Sequence, residues 1–186
     1  MGIRLNDDMS NETNNNYEQL QGAISDSMIL DIIMTHSQDT IYFKDKDSRY
    51  IANSTAHVIQ VGLKSANEMR GKCDFDFFPE EFAQIAYQDE LNIMETGIPI
   101  LGKQEKLTWS DGSCVWFSAS KYPIYDKSGN IIGTWGTSRD ITALKLAQEE
   151  LRKLNDRLEI NKNKKKKLSD MDGLSELFNQ RKFYEV

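Results

Sequence analysis

Two cysteines, two histidines and one strand of alternating aromatic and hydroxyl residues hold most of the reactive chemistry in this chain. Cys73 lies in Gly71-Lys72-Cys73-Asp74-Phe75 and Cys114 in Ser113-Cys114-Val115, and neither belongs to a Cys-x-x-Cys pair or a metal-ligand spacing. Such isolated thiols, in a chain with no secretion signal, read as reduced and structural. His36 and His57 have no Ser, Cys or Asp partner at a spacing that would suggest a nucleophile and its base. Gly129, Gly133 and Gly136 do not make a dinucleotide fingerprint, because they fall inside a strand pattern rather than at a strand-to-helix turn.

Binding chemistry is better represented than catalytic chemistry. Between Cys114 and Tyr125, a period of two puts Trp116, Ser118, Ser120 and Tyr122 on one face and Val115, Phe117, Ala119 and Lys121 on the other. A small-molecule pocket is mostly apolar with a few polar anchors. Phe75, Phe78, Phe82 and Ile85 would supply its helical wall, with Trp116, Ser118 and Trp135 from the strands. Lys121 would anchor a carboxylate there, although a solvated lysine is the ordinary reading of that residue. Both faces of the strand qualify as core, because an N-terminal helix could cover the outer one.

The elements that would position these residues are legible along the chain. Residues 1–15 are polar and Asn-rich, which predicts disorder. Leu20, Ile24 and Met28 recur at helical spacing, so residues 16–37 are expected to form an N-terminal helix. Asp39–Lys44 and Arg49–Ala52, split by the turn sequence Asp45–Ser48, read as a hairpin. A short helix capped by Asn53 or Ser54 follows, then an aromatic-dense irregular stretch over Gly71–Phe78. Pro79 opens a longer helix with a stripe of Phe82, Ile85, Ala86, Ile93 and Met94, and Gly97 stops it. Three strands, Ile100–Trp109, Cys114–Tyr125 and Ile131–Arg139, are joined by Ser-Asp-Gly-Ser and Asp-Lys-Ser-Gly-Asn turns. The order predicts an α+β domain with a five-stranded antiparallel sheet and its helices on one face.

A helix then carries Leu144, Ala147, Leu151, Leu154 and Leu158 at heptad a/d positions, continuing in register to Asn161, Lys165 and Leu168. An apolar seam requires a partner helix, and polar residues on it lower stability and set register. A homodimer through the terminal helices is therefore expected.

Composition narrows the partners. The 186 residues suffice for one domain with extensions. A net charge of −6 and a pI near 5.0 argue against nucleic acid. Lys162 and Lys164–Lys167 then read as a solvated stretch of linker helix. No stretch approaches a membrane span or a signal peptide, so a cytoplasmic protein is expected.

Taken together, the segments DTIYFKDKDSRYIANSTA, GKCDFDFFPEE, DGSCVWFSASKYPIYDKSGNIIGTWGTS and Arg139-Asp140-Ile141-Thr142 resemble a PAS domain. The resemblance implies a sensor fold over residues 38–140. It implies that Asp140 and Thr142 fix how the exit helix, 141–168, leaves the sheet and so transmit the signal. It also implies no haem, since no histidine falls within Phe82–Thr96, and no light-sensing flavin adduct, since Cys73 is one position early and lacks the partner Arg and Gln. A small organic ligand, a non-covalently held flavin included, remains open. Residues 169–186 (SDMDGLSELFNQRKFYEV) resemble the opening helix of a GGDEF diguanylate cyclase domain through Asp172, Leu174, Leu177, Asn179, Arg181 and Phe183, with Ser175, Glu176 and Gln180 departing from it. The GG(D/E)EF loop is absent, so this chain is expected not to be an enzyme. The resulting expectation is a PAS sensory module that passes a cytoplasmic signal through a dimeric coiled coil to a cyclase output. The alternatives are a stand-alone interaction module and the input of a histidine kinase.

Overall fold

The computed structural model describes residues 23–183, with side chains through 167. The disorder expected for 1–15, the first turns of the N-terminal helix and the GGDEF-like side chains lie outside the described residues.

Helix α1 runs Asp26–His36 and is capped by Ser25, whose Oγ accepts from Met28 N at 3.2 Å. That cap explains why the helix starts afresh at Asp26 instead of continuing from the preceding residues: Ile24 and Ser25 are not helical. None of its residues is buried. The described part of this helix, Asp26–His36, therefore does not supply the possible cover for the outer sheet face.

Strands β1 (Thr40–Asp45) and β2 (Tyr50–Asn53) form the hairpin, followed by α2 (Thr55–Gln60), two single 3₁₀ turns, Ala66–Glu68 and Asp74–Asp76, and α3 (Glu80–Thr96). Strands β3 (Ile100–Thr108), β4 (Cys114–Tyr125) and β5 (Ile131–Asp140) complete one antiparallel sheet of order β2-β1-β5-β4-β3. The three hairpin turns share one device. Asp45, Asp111 and Asp126 each turn a side-chain oxygen back onto backbone N–H groups two or four residues ahead, at 2.8–2.9 Å. Ser54 Oγ caps α2 and accepts from Ile41 N at 2.9 Å, which ties the helix to β1. Gly97 ends α3 at φ 70°, a left-handed position open to glycine at little strain.

Register decides which face is core. Tyr42 pairs with Gly136 and Lys44 with Thr134 across β1 and β5, while Lys121 pairs with Gly136 across β4 and β5. Phe117, Ala119 and Lys121 therefore face α3 and are buried. Gly136 is required in this place: a Cβ there would lie 2.5 Å from Tyr42 Oη and 2.8 Å from Ser120 O. The buried stripe of α3 is Ala83, Ala86, Glu90 and Ile93; it keeps Ala86 and Ile93 of the expected stripe, while Phe82 and Met94 are half-buried and Ile85 falls outside it. Ile85 is exposed, and an acid takes a core position.

The chain divides after Asp140. The second unit is one helix, α4, Thr142–Phe183, 42 residues long. It continues through the stretch where a separate GGDEF opening helix was expected. Leu144, Leu151, Leu154 and Leu158 on its seam are 47–65% exposed, and Ala147 is exposed as well. Among the described residues no helix is long and apolar enough to cross a membrane.

Candidate functional site

The inner face of the sheet is built around a lysine. Alternation along β1 sends Thr40, Tyr42 and Lys44 inward. Lys44, 1% exposed, donates to Asp74 Oδ2 and to Glu90 Oε1, each at 2.6 Å. Asp74 comes from the second 3₁₀ turn and Glu90 from the stripe of α3, so one ammonium joins three elements. Tyr50 donates its hydroxyl to the other oxygen of Asp74. Lys44 Nζ also stands 4.6 Å from the Tyr50 ring centroid and 5.4 Å from that of Tyr42.

These contacts set the charge states. Burial opposes the Lys44 ammonium, but Asp74 and Glu90 outweigh it and hold its pKa above the ordinary lysine value. Burial likewise opposes the Asp74 anion, and Lys44 and the Tyr50 hydroxyl reverse that, leaving it below the usual carboxylate range. Glu90 goes the other way. Burial raises it, Lys44 only partly offsets this, and the Asp74 charge adds to the rise. Its Oε2 is buried with no hydrogen-bond partner, and so is Ser48 Oγ, which lies close enough to favour the anion without meeting hydrogen-bond geometry. Burial also pushes the Tyr42 and Tyr50 phenols well above their usual value.

His57, on α2, is buried against the same cluster. Its Nδ1 lies 2.9 Å from Asn53 Oδ1, and its ring stacks on Phe78 and meets Tyr50 edge-on. Burial lowers its pKa to about 4, so it is neutral at physiological pH.

A second ionic group adjoins the first. Lys121, 3% exposed, pairs with Asp89 Oδ2 at 3.0 Å and Glu105 Oε1 at 3.4 Å. Lys103 closes on the same Asp89 oxygen at 2.5 Å. Lys121 is therefore not the solvated residue that its type suggests, and its two carboxylate partners already occupy the position of the expected ligand carboxylate. The two groups enclose a chamber of about 40 Å³. That is room for a few waters or one small polar group, and far below the ~300 Å³ of an ordinary ligand pocket.

The residues expected to bind a ligand do not converge on one place. Phe78, Phe82 and Lys121 line the chamber. Phe75 is 44% exposed and edge-on to Tyr87, and Ile85 is 47% exposed. Trp116, Ser118 and Trp135 lie on the opposite face of the sheet. There Trp135 is stacked between Tyr122 at 4.7 Å and Phe43 at 6.1 Å. Asp140 ends β5 and Thr142 opens α4. Cys73 is half-buried with its Sγ 3.4 Å from Asp76 Oδ2, and Cys114 is exposed. Among the described residues no group of His, Cys, Asp and Glu could hold a metal ion.

Lys44, Asp74 and Glu90 were not singled out from the sequence, and His57 was weighed there only as a catalytic base or haem ligand. The available signals were the alternation Thr40-Tyr42-Lys44 and the spacing Ala83, Ala86, Glu90, Ile93. Both put a charged residue on an apolar face.

Residues 34–146 match the family described as PAS fold. Over 136 residues the chain is 33% identical to the methanogenesis regulatory histidine kinase FilI of Methanothrix harundinacea, covering 73% of this chain and 15% of the kinase. Over 146 residues it is 26% identical to a diguanylate cyclase of Vibrio cholerae, covering 77% of this chain and 40% of the cyclase. The chain thus spans less than half the length of either relative. Among solved structures, a complex of Vibrio cholerae VqmA with ligand and DNA superposes with a TM-score of 0.56 at 24% identity, over 64% of this chain and 52% of that one. At that identity the likeness speaks to fold. The DNA in that complex leaves the expected absence of a nucleic-acid partner without support from similar proteins. The described chain is a PAS domain followed by one helix, and among the described residues there is no catalytic domain. On its matched residues, its sheet order and the helices packed on one face of that sheet, the chain belongs to the PAS family.

Proposed function

We propose that this chain is the sensory half of a signalling protein, passing a change in the PAS domain through a dimeric α4 coiled coil to a diguanylate cyclase output. The observation that carries the reading is α4 itself. A helix of 42 residues begins two positions after the end of β5 and exposes Leu144, Leu151, Leu154 and Leu158 at heptad spacing. A second copy would cover that seam. In this reading Asp140 and Thr142 set the angle at which the helix departs. Asn161 and Lys165 weaken the seam further along, so two registers lie close in energy. A signal biases such a pair only by its differential affinity for the two states. Two cyclase domains must meet across a dimer to join two GTP molecules, which suits control by helix register.

The cyclase relative supports the output, while the kinase relative, more identical over its matched region, favours a second reading in which the same module feeds a histidine kinase. Reading the coding DNA past the codon for Val186 separates them. A frame that runs into a GG(D/E)EF loop is the expected result. A phosphoacceptor-histidine module there, or a stop codon, overturns the cyclase output. In a cyclase-containing parent, Asp140→Ala is expected to uncouple cyclic di-GMP synthesis from the signal, and unchanged coupling would refute the proposed route.

A further inference from the structure

Beside the buried chamber lies a larger cleft of about 520 Å³, within the size range of small-molecule sites. It is formed by the end of α1, by α2 and by the ends of β3, β4 and β5 in the PAS unit. Ile59, Leu107, Trp109 and Phe117 give it an apolar floor. Asp140 is the one charged residue in its lining, which contains no Lys, Arg or His. The nearest cation along β5, Arg139, points its guanidinium at Asp39 in a two-pronged pair at 2.8 and 2.9 Å.

The cleft and the chamber share the side chains of Thr40, Gln60, Phe117 and Ser138 in their linings. Behind that seam the chamber is lined by three carboxylates, Asp74, Glu90 and Glu105, against the two ammoniums of Lys44 and Lys121. His57 is neutral there, as described above, so its lining carries a negative excess. Glu90 in that lining is fully buried, and its Oε2 has the Ser48 hydroxyl nearby but outside hydrogen-bond geometry. A buried acceptor without a well-aligned donor is costly, and a cation arriving there would be bound in a low-dielectric setting.

Building on the sensory reading above, we infer that this cleft is the ligand site of the domain and that it takes a small amine. The apolar or aromatic body lies on the Leu107–Trp109–Phe117 floor, and the ammonium points through the Thr40–Gln60–Ser138 seam toward Glu90 Oε2. Anions are turned away by the carboxylate excess of the chamber. The ligand would sit against Asp140, the last residue of β5.

Titrations of the full chain with tryptamine, indole and indole-3-acetate, followed by amide chemical shifts, test this with one ring system in three charge states. Tryptamine is expected to perturb the Gln60, Val115 and Ser138 amides and to bind at least about tenfold more tightly than the acetate. Ala56→Phe, which fills the cleft, is expected to weaken tryptamine by at least about tenfold. Glu90→Gln keeps the side-chain volume and is expected to bring the two affinities within about threefold. Equal or tighter binding of the acetate overturns the inference, as does tryptamine affinity unmoved by Ala56→Phe. Amide shifts that stay silent to millimolar tryptamine, with Glu90 Oε2 then served by water only, also overturn it. None of these results touches the dimeric transmission reading, which is tested by the sequence past Val186, by the Asp140→Ala coupling and by the oligomeric state of the chain.

Discussion

The PAS domain hides its charges, and the helix that follows exposes its leucines. Lys44, Glu90 and Lys121 are 1–3% exposed, whereas Leu144, Leu151, Leu154 and Leu158 are 47–65% exposed. Residue type alone would have assigned them in reverse. The difference lies in where each residue finds its partner. A buried charge is tolerable only when another part of the same fold neutralises it, and Asp74, Glu90, Asp89 and Glu105 do that within the domain. An exposed leucine seam is complete only when a second helix covers it. The domain is thus closed with respect to its charges, while α4 is open with respect to its apolar surface.

The largest test of that contrast removes one partner from the closed side. Lys44→Met leaves Asp74 and Glu90 buried without a cation and is expected to cost about 3–5 kcal/mol in urea unfolding. A triple variant, Lys44→Met with Asp74→Asn and Glu90→Gln, removes the charge imbalance and is expected to recover a large part of the loss. A Lys44→Met protein within about 1 kcal/mol of the parent would show that the cluster contributes little to holding the three elements together.

The pH dependence of the same region is expected to be nearly as large. His57 has its pKa lowered to about 4 in the folded chain, against about 6.5 when unfolded. As pH falls from 6.5 toward 4 the unfolded chain takes up this proton and the folded one does not. Stability is therefore lost across that window, by about 3 kcal/mol in all. Glu90 acts with the opposite sign. Its raised pKa lets the folded chain protonate first, so it gains stability as pH falls and offsets part of the loss. Asp74, held below the usual carboxylate range, yields its contribution only at lower pH still. Urea melts from pH 7 to 4.5 on the parent and on His57→Gln measure the share due to the imidazole. The variant should give a flatter profile, and two parallel profiles would remove His57 from the account.

The scaffold was easier to foresee than the site. The strands could be read because Asp45, Asp111 and Asp126 mark their turns by chemistry that acts within a few residues. The alternation on β4 correctly separated Phe117, Ala119 and Lys121 from Trp116, Ser118, Ser120 and Tyr122. Which of those faces lies inward depends on the register of β1 against β5, a relation between residues about ninety positions apart that no local pattern carries. Lys44 and Glu90 were missed, and Lys121 was read as a solvated lysine or the anchor of a ligand carboxylate, for a related reason. A lone Lys or Glu is expected at a surface, and only the folded chain shows that Asp74 and Asp89 come to meet them. The start of α1 at Asp26 turned on a single serine cap inside a stretch whose apolar spacing was otherwise continuous.

Gly136 probes that long-range register directly, at a smaller expected cost. Its missing side chain makes room for the Tyr42 ring, so Gly136→Ala forces either Tyr42 or the β4 backbone to shift. Overpacking of this kind is expected to cost about 1–3 kcal/mol. Combining it with Tyr42→Leu should recover part of that, because the two positions are direct cross-strand partners and their effects couple. Strictly additive losses would mean that the strain resides in the Ser120 carbonyl contact instead.

The smallest effect on domain stability is expected from the open side, where the effect on assembly is greatest. Leu151→Lys with Leu158→Lys places two charges on the α4 seam. Both leucines are already exposed within one chain, so unfolding of the PAS domain should move by no more than about 0.5 kcal/mol. Sedimentation velocity should nevertheless change from dimer to monomer, because lysine at two of the three leucine a positions removes most of the apolar contact the seam offers a partner helix. A parent chain that sediments as a monomer at high micromolar concentration would refute the proposed dimer, and the seam would need a different partner. A variant that stays dimeric would place the contact elsewhere. The exposed Met28, Ile29 and Ile33 of α1 would then be the next residues to charge, because they are apolar surface without cover among the described residues.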